Sequence, residues 1–439
     1  VVPVFEFFHR LRGYKLLAFD FCDRMDSKLS SGFLEIGRFD LRPWDVFDMK
    51  IAMIAPEPIF EPRGTPLSIV GRLKALSGMG HRIDLLTYSM GEDVVFPGVR
   101  IFRIPQILGI RKIKIGPSFK KIPLDIVLLI QTVIQLWRER YDVIHTHEEA
   151  GLWGTFLSRI FSIPHLYDMH SSLPQQLKNF QFSNSRILFE IFQNMEKWVL
   201  KYADAVITIC PDLHSHVKTL FPSKGSVLVE NVVDYGMIFG EKDSSAEIHK
   251  KLNLKGKTVV LYTGTFESYQ GLDLLIDSAE SVLCEVKRVV FLLVGGHADQ
   301  VAHYKSKVEK RGLETHCLFT GQVVPEEVNS YIRCADVLVS PRVSGTNTPL
   351  KIYAYLRSGL PIVATRLLTH TQVLDDNVAI LTDPKAGSFA EGIVSAIRDR
   401  NLARRIGKRA LELADKKYGY PAYLEKLEEA LERAVGSRA

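Results

Sequence analysis

Cysteine is scarce in this chain. Its 439 residues include only Cys22, Cys210, Cys284, Cys317 and Cys334, an odd number with no C-x-x-C pair. That argues against a disulfide framework or a thiolate zinc site and fits a reducing compartment. Long apolar runs are missing as well. No stretch reaches the roughly 18 residues a membrane span needs, and the best candidate, Ile122 to Trp137, is broken by Pro123, Asp125, Gln131 and Gln135. Neither charge sign dominates. The net charge of +6 suits a protein that handles phosphates or anionic surfaces and is too small to imply nucleic acid. There is no fixed-period repeat, no low-complexity tract, no Gly-Lys-Ser/Thr ending of a P-loop and no G-x-G-x-x-G dinucleotide turn.

What is present is ordinary globular composition, 46 % apolar and 24 % charged, in a chain long enough for two domains. Residues 1–48 stand apart. They are rich in phenylalanine (Phe5, Phe7, Phe8 and Phe19 among others) without a helical or strand period, and they lack the apolar core and cleavage site of a signal peptide. Met49-Lys50 opens a clean strand, so the expectation is that Met49 is the natural start and residues 1–48 an upstream extension. A docked arm is the alternative.

From Met49 onward short apolar runs alternate with amphipathic stretches. Strands are expected at 50–55, 82–88, 99–104, 143–147, 165–169 and 205–209, with a helix over 65–79. The pattern restarts with strands at 258–263, 289–294, 318–321, 337–340, 361–364 and 379–381. Helices are expected over 271–283, 299–310, 326–334, 349–357 and 388–397. Near-continuous β-branched runs between helices mean parallel sheets covered on both faces, hence two doubly wound α/β domains. The boundary is expected near 225–235, giving 49–230 and 231–420. Residues 421–439 form a terminal amphipathic helix with Leu424, Leu427 and Leu431 at helical spacing. Open parallel sheets bind ligands at their carboxyl edges.

Several strand–loop–helix joints fall at those edges. In Ser340-Pro-Arg-Val-Ser-Gly-Thr-Asn-Thr-Pro-Leu-Lys351 a buried strand leads through a Gly/Thr loop to a helix, with Thr348 expected as N-cap and Pro349 in the first turn. Free N–H groups there, with Arg342 and Lys351, suit an anion such as phosphate. A plain capped helix with surface cations fits the same pattern. Gly264 and Gly271 bracket a second such loop, which also reads as a structural turn. Gly64-Thr65, in Glu61-Pro-Arg-Gly-Thr-Pro66, makes a third.

His145, His147 and His170 end two strands of the first sheet. No carboxylate or cysteine completes a recognisable zinc motif with them, so hydrogen bonding beside a sugar or phosphate is the preferred reading over a metal. The segment from Gln106 to Arg140 is at once basic (Arg111, Lys112, Lys114, Lys120, Lys121) and apolar. It suits peripheral contact with an anionic membrane, or a core helix with a solvated charged rim.

Taken in order, these motifs resemble the GT-B retaining glycosyltransferases of family 4 (glycosyl transferases group 1). The resemblance runs from Met49 to about Val435. It is carried by Gly78-Met-Gly-His81, Asp142-Val-Ile-His-Thr-His147, Asn231-Val-Val-Asp234, Tyr262-Thr-Gly264 with Gly271-Leu-Asp-Leu-Leu275, Leu293-Val-Gly-Gly296, Phe319-Thr-Gly-Gln-Val323, Ala335-Asp-Val-Leu-Val-Ser-Pro341 and Ser358-Gly-Leu-Pro-Ile-Val-Ala364. The resemblance implies a nucleotide-diphosphate sugar held by 231–420 and a glycan, lipid-linked or small-molecule acceptor held by 49–230, near Gly64, Thr65 and His147. It implies that the terminal helix crosses back over the first domain.

It also places the base near Gln322 and Val323 and the diphosphate at Gly264, Thr265 and the turn Thr348-Pro349-Leu350. His170 stands at the position of the family's important histidine. The nucleotide-sugar is a co-substrate, no cofactor or metal is expected, and no D-x-D triplet is present. With the cysteine content, the expected localisation is cytoplasmic, and the basic, apolar segment leaves open a place at the inner membrane face.

Four positions depart from the family pattern. Thr346 and Ala354 stand where two glutamates are usual, and Thr265 and Gln270 where Arg and Lys clamp the diphosphate. Arg342 and Lys351 are expected to replace the lost cations. The departures keep open a non-catalytic nucleotide-sugar-binding or partner subunit of the same fold and, more remotely, an epimerase or hydrolase.

Overall fold

The computed structural model describes residues 48–60, 64–107, 109–110, 113, 118–174, 186–230 and 243–438. Residues 1–47, the residues Glu61 to Arg63, Arg111, Lys112 and Lys114, and the expected linker at 231–242 lie outside the described residues.

Thirteen strands form two sheets among the described residues. The first holds β1 (Lys50–Ala55), β2 (Arg82–Thr87), β3 (Val99–Arg103), β4 (Val143–His147), β5 (His165–Met169), β6 (Ala205–Thr208) and β7 (Ser226–Leu228). The second holds β8 (Thr258–Thr263), β9 (Val289–Val294), β10 (Cys317–Gly321), β11 (Val337–Ser340), β12 (Ile362–Thr365) and β13 (Ile380–Thr382). Every ladder is parallel. The central strands β1 and β9 are buried almost end to end because helices cover both faces, which is why they read as unbroken apolar runs.

The orders are β3-β2-β1-β4-β5-β6-β7 and β10-β9-β8-β11-β12-β13. Each reverses direction once, between β1 and β4 and between β8 and β11. Chains leaving the carboxyl ends of neighbouring strands diverge at such a point and leave a crevice. The loops that meet there follow β1 and β4 in the first sheet and β8 and β11 in the second. These are the joints that carry Gly64-Thr65, His147, Gly264 and Arg342-Lys351.

The last helix, Tyr420–Gly436, belongs to the first sheet's core. Tyr423, Leu427, Ala430, Leu431 and Ala434 are buried among Ile51, Met53, Val143 and Leu166. Most element boundaries differ from the sequence expectation by one or two residues. The larger corrections have physical causes. β7 is only three residues long and escaped notice. The stretch expected as one helix over 326–334 starts as a 3-10 turn at Pro325–Glu327 before the helix Val328–Arg333. The helix expected from Pro349 begins at Lys351.

Candidate active site

At the first edge, alternation on β4 puts His145 and His147 on one side, their ring centroids 4.6 Å apart. Parallel pairing sets Asp168 of β5 directly beside His147. The Asp168 Oδ2 atom accepts from Arg72 Nε at 2.9 Å, with both side chains fully buried. The same oxygen lies 3.6 Å from His145 Nε2 and 3.7 Å from His147 Nδ1, and Oδ1 lies 3.5 Å from His170 Nε2. His147 Nδ1 and His170 Nε2 share a hydrogen bond of 2.9 Å. Arg72 also donates to Tyr423 Oη at 2.6 Å and to the Val229 carbonyl at 3.0 Å.

Burial alone would raise the Asp168 carboxyl, but the Arg72 charge and the facing histidines outweigh it and hold the group well below the usual carboxylate range. Burial pushes the His147 imidazole well down and that of His170 down to about 4. The first edge therefore pairs one anion with one cation, beside the neutral imidazoles of His147 and His170.

Glu148 follows immediately, buried and with φ +49°, a left-handed conformation that a glutamate rarely adopts. Thr65 Oγ1 donates to its Oε1 at 3.4 Å and Ser171 Oγ to its Oε2 at 2.9 Å. Glu148 thus ties the start of the helix Gly64–Gly78 to the residue after His170. Burial, then the charges of Glu149 and Glu57, push its carboxyl up to about 8. Gly64 has open space where a Cβ would stand.

At the second edge the two glycines do different work. Gly271, at φ +75°, lets the β8 loop press onto the β11 loop, since a Cβ there would sit 1.9 Å from the Pro341 carbonyl oxygen. Gly264, at φ +138°, leaves room for Lys351, whose Nζ would be 3.0 Å from a Cβ at that position. Lys351 is buried. Its ammonium stands 3.6 Å from the centroid of the Tyr262 ring and donates to Gln270 Oε1 at 3.4 Å. Gln270 Nε2 in turn donates to Thr265 Oγ1 at 3.4 Å. Two of the altered positions therefore form a neutral chain that ends on Lys351.

Arg342 donates through Nη1 to the Asn347 carbonyl and to Thr369 Oγ1, both at 2.7 Å, and lies 5.0 Å from the Tyr269 ring centroid. None of these partners of either cation is an acid. Burial lowers both groups, and the Arg342 charge pushes Lys351 down further, well below the usual ammonium range.

The edges meet through Asn347. Its Nδ2 donates to the His170 carbonyl at 2.8 Å, and from the same region the Asp212 amide donates to Gln372 Oε1 at 2.9 Å.

Two expectations are corrected here. Thr348 is not the N-cap. That position is Leu350, in helical geometry and without a side-chain capping bond, and the Thr348 hydroxyl is buried without a hydrogen-bond partner. The first turn closes in 3-10 fashion, through Ile352 N to the Pro349 carbonyl and Tyr353 N to the Leu350 carbonyl and not back to Thr348, so the α-helix starts two residues later. A carboxylate does join the histidines. His145, His147 and Asp168 place ligand atoms within 4.8 Å of one another. Arg72 already occupies the Asp168 oxygen that faces both histidines, and a second positive charge there would be repelled.

The structure brings His147, His170 and Thr65 together at the first edge, and Gly264, Thr265, Arg342 and Lys351 at the second. Gln322 is exposed and Val323 half-buried, beyond the end of β10, where the Gly321 carbonyl accepts from Gly295 N. Thr346 meets Gln372 Nε2 through its carbonyl, and Ala354 packs on the second domain's core. Sequence reasoning missed Arg72, Asp168, Glu148 and Asn347. Arg72 lies within the apolar stretch around Ile69, Leu73 and Leu76, and Asp168 inside a buried strand. A charge at a core position is a signal in itself.

Residues 64–235 match the family model Glycosyltransferase Family 4, and residues 244–413 match Glycosyl transferases group 1. The chain belongs to the GT-B glycosyltransferases of family 4. This transferase is 22 % identical over 405 residues to the phosphatidyl-myo-inositol mannosyltransferase of Mycobacterium tuberculosis, covering 89 % of this chain and 98 % of that protein. It is 22 % identical to a sulfoquinovosyl transferase of Arabidopsis thaliana, covering 90 % of this chain and 79 % of the relative. Its fold is similar to that of sucrose-phosphate synthase from Thermosynechococcus elongatus, with a TM-score of 0.71, 21 % identity and coverage of 87 % and 97 %. It is likewise similar to Anabaena HepE in complex with UDP, with a TM-score of 0.68, 18 % identity and coverage of 88 % and 100 %.

Proposed function

We propose that this glycosyltransferase takes a sugar from a nucleotide-diphosphate donor, with retention and without a metal, and passes it to a glycan or lipid-linked acceptor. One observation carries the reading: Arg342, half-buried, and Lys351, buried, are two cations whose hydrogen-bond and ring partners are neutral, and they stand against the open turn at Gly264. A buried charge without a counter-charge is costly. A diphosphate between Gly264, Thr265 and the turn Thr348-Pro349-Leu350 would neutralise both. The two cations replace the Arg and Lys missing at 265 and 270 and supply the charge that a metal would bring. The base would lie by Gln322 and Val323.

The acceptor would enter at the first edge beside Gly64, Thr65, His147 and His170. His170 would hydrogen-bond the transferred sugar or the acceptor as a neutral imidazole, held in place by Asp168, His147 and Asn347. Same-face attack would let the leaving phosphate take the acceptor proton. Catalysis then rests on positioning and on charge stabilisation at the departing diphosphate. Support for the donor class comes from the likeness to HepE, solved with UDP and with UDP-glucose. Support for a lipid-linked acceptor comes from the mycobacterial relative, named for phosphatidyl-myo-inositol. A lipid-linked acceptor also suits a cytoplasmic enzyme at the inner membrane face.

The test is thermal shift with UDP, GDP and their sugar conjugates, since a ligand at 100 times its Kd adds about 2.7 kcal/mol. Silence to every nucleotide would reject the reading, and activity abolished by a chelator would reject metal independence. The substitutions at Thr346 and Ala354 favour one second reading, a subunit that binds donor without turning it over. Nucleotide released only when acceptor is added separates the two.

A further inference from the structure

The helix Lys121–Arg138 is apolar on two sides. It buries Leu124, Leu128 and Leu136 against the first sheet, and it turns Ile122, Ile126, Ile130, Ile134 and Trp137 to solvent. The inner stripe is satisfied by the core. The outer one repeats every three or four residues along the whole helix, and a contiguous exposed apolar surface of this kind calls for a partner.

The surface does not stop at one helix. Next to it the helix Ala150–Ile160 exposes Phe156, and beside that the helix Arg186–Tyr202 exposes Ile187 and Ile191. The three are neighbours in one layer. Leu124 and Leu128 share a core cluster with Ala150 and Leu157, and a Cβ on Gly151 would lie 3.2 Å from Val199. Exposure is greatest at the helix starts, 74 % at Phe119 and 73 % at Ile187. Crossover helices run against their strands, so these starts lie at the carboxyl edge of the sheet. Lys121 confirms the placement, donating to Glu57 at 3.0 Å and Glu149 at 2.8 Å just beyond β1 and β4. The apolar face therefore reaches the rim of the candidate site.

Its exposed charges are mostly positive. Asp125, the sole acid of the first helix, turns inward to the Tyr88 hydroxyl. Glu190 is paired with Arg186 at 3.2 Å, and Glu196 accepts from the Leu173 amide. The exposed cations on these helices and beside them are Lys120, Arg138, Arg140, Arg159, Arg186 and Lys201, against Glu190 as the one exposed acid on the three helices. A protein interface of this size would carry mixed charges at its rim. Apolar side chains bordered by a clear excess of cations match the boundary between acyl chains and anionic headgroups.

We propose that this three-helix face docks on an anionic lipid bilayer, which would present a lipid-linked acceptor at the rim of the cleft. Only that last clause rests on the transferase reading; the docking stands on the surface itself. The full chain is tested by co-sedimentation with vesicles of phosphatidylglycerol and phosphatidylcholine, against phosphatidylcholine alone. Binding to the mixed vesicles is expected, weakening with added salt. The double variant Ile126→Glu/Ile130→Glu should lose at least about tenfold in affinity. Arg138→Gln and Arg140→Gln should each lose about fivefold. Phe156→Ser/Ile187→Ser, on the other two helices, should bind severalfold more weakly, which guards against misfolding of any one variant.

All variants should keep the wild-type thermal shift with nucleotide diphosphates. Failure of the wild-type chain to co-sediment at low salt would overturn the proposal. So would a wild-type dimer in sedimentation equilibrium that Ile126→Glu/Ile130→Glu splits, because the face would then be covered by a second copy. Silence to nucleotides with intact vesicle binding would count against the transferase reading alone.

Discussion

The two carboxyl edges handle buried charge in opposite ways. At the first, Arg72 and Asp168 neutralise each other at 2.9 Å, with neutral His147 and His170 packed beside them. At the second, half-buried Arg342 and buried Lys351 lie among hydroxyls, amides and aromatic rings with no acid in the described contacts. The first edge is balanced in charge without a ligand, and its ion pair sits beside His170. The second is electrostatically unfinished, and an anion would finish it. On the proposed reading, that difference is what assigns the charged substrate to the second half.

The contrast can be broken by mutation, and the first edge should give the largest effect. Asp168→Ala leaves Arg72 buried and unpaired and should cost about 3–5 kcal/mol in urea unfolding. Arg72→Met combined with Asp168→Asn should recover most of that loss, because no lone charge remains. At the second edge the sign reverses. Lys351→Met should leave ligand-free stability unchanged or raised while weakening UDP or GDP binding about 10- to 100-fold by calorimetry, one charge-assisted hydrogen bond's share. A parallel loss of stability and affinity would erase the distinction.

Acidity and alkalinity should separate the edges as well. His147 and His170 are neutral in the folded protein, with His170 held down to about 4, whereas in the unfolded chain they protonate near the ordinary imidazole value. Below that value the unfolded chain binds more protons. Stability should therefore be fully present above about pH 6.5 and fall progressively toward pH 4, as followed by denaturant midpoints. Donor binding should respond in the other direction. Lys351 has a lowered affinity for its proton in the free protein, and a diphosphate would raise it. Binding should then take up a proton and weaken as pH rises, a slope that Lys351→Met removes.

The smallest effect is expected where the edges touch. Asn347→Ala loses the 2.8 Å bond to the His170 carbonyl and should lower kcat severalfold, about 1 kcal/mol, with little change in KM for the donor.

The sheets were largely legible in the sequence because parallel strands buried on both faces must be apolar at consecutive positions, as in Val289–Val294. The helix Arg400–Lys417 was not, because its buried residues include small ones, Gly407, Ala410 and Ala414, which leave no stripe to see among its charges. At the site, the loops and the altered positions 265, 270, 346 and 354 could be read along the chain. The Arg72–Asp168 pair could not, since its members are 96 positions apart and each looks like an isolated charge. Asn347 shows the same limit: an asparagine in a loop carries no local sign that it reaches the other sheet. The capping role expected of Thr348 failed because the first turn closes on the Pro349 and Leu350 carbonyls and leaves Thr348 outside the helix.

The bond from Tyr423 to Arg72 spans 351 positions of sequence. A chain made from its amino end therefore exposes the first sheet, with its guanidinium–carboxylate pair, long before the helix that covers one side of it emerges. Until then the grooves around Ile51, Met53 and Leu166 are open to water and to other chains. The first half to be synthesised is the last to be sealed, so nascent chains stalled before that helix should be the ones that chaperones hold and proteases cut.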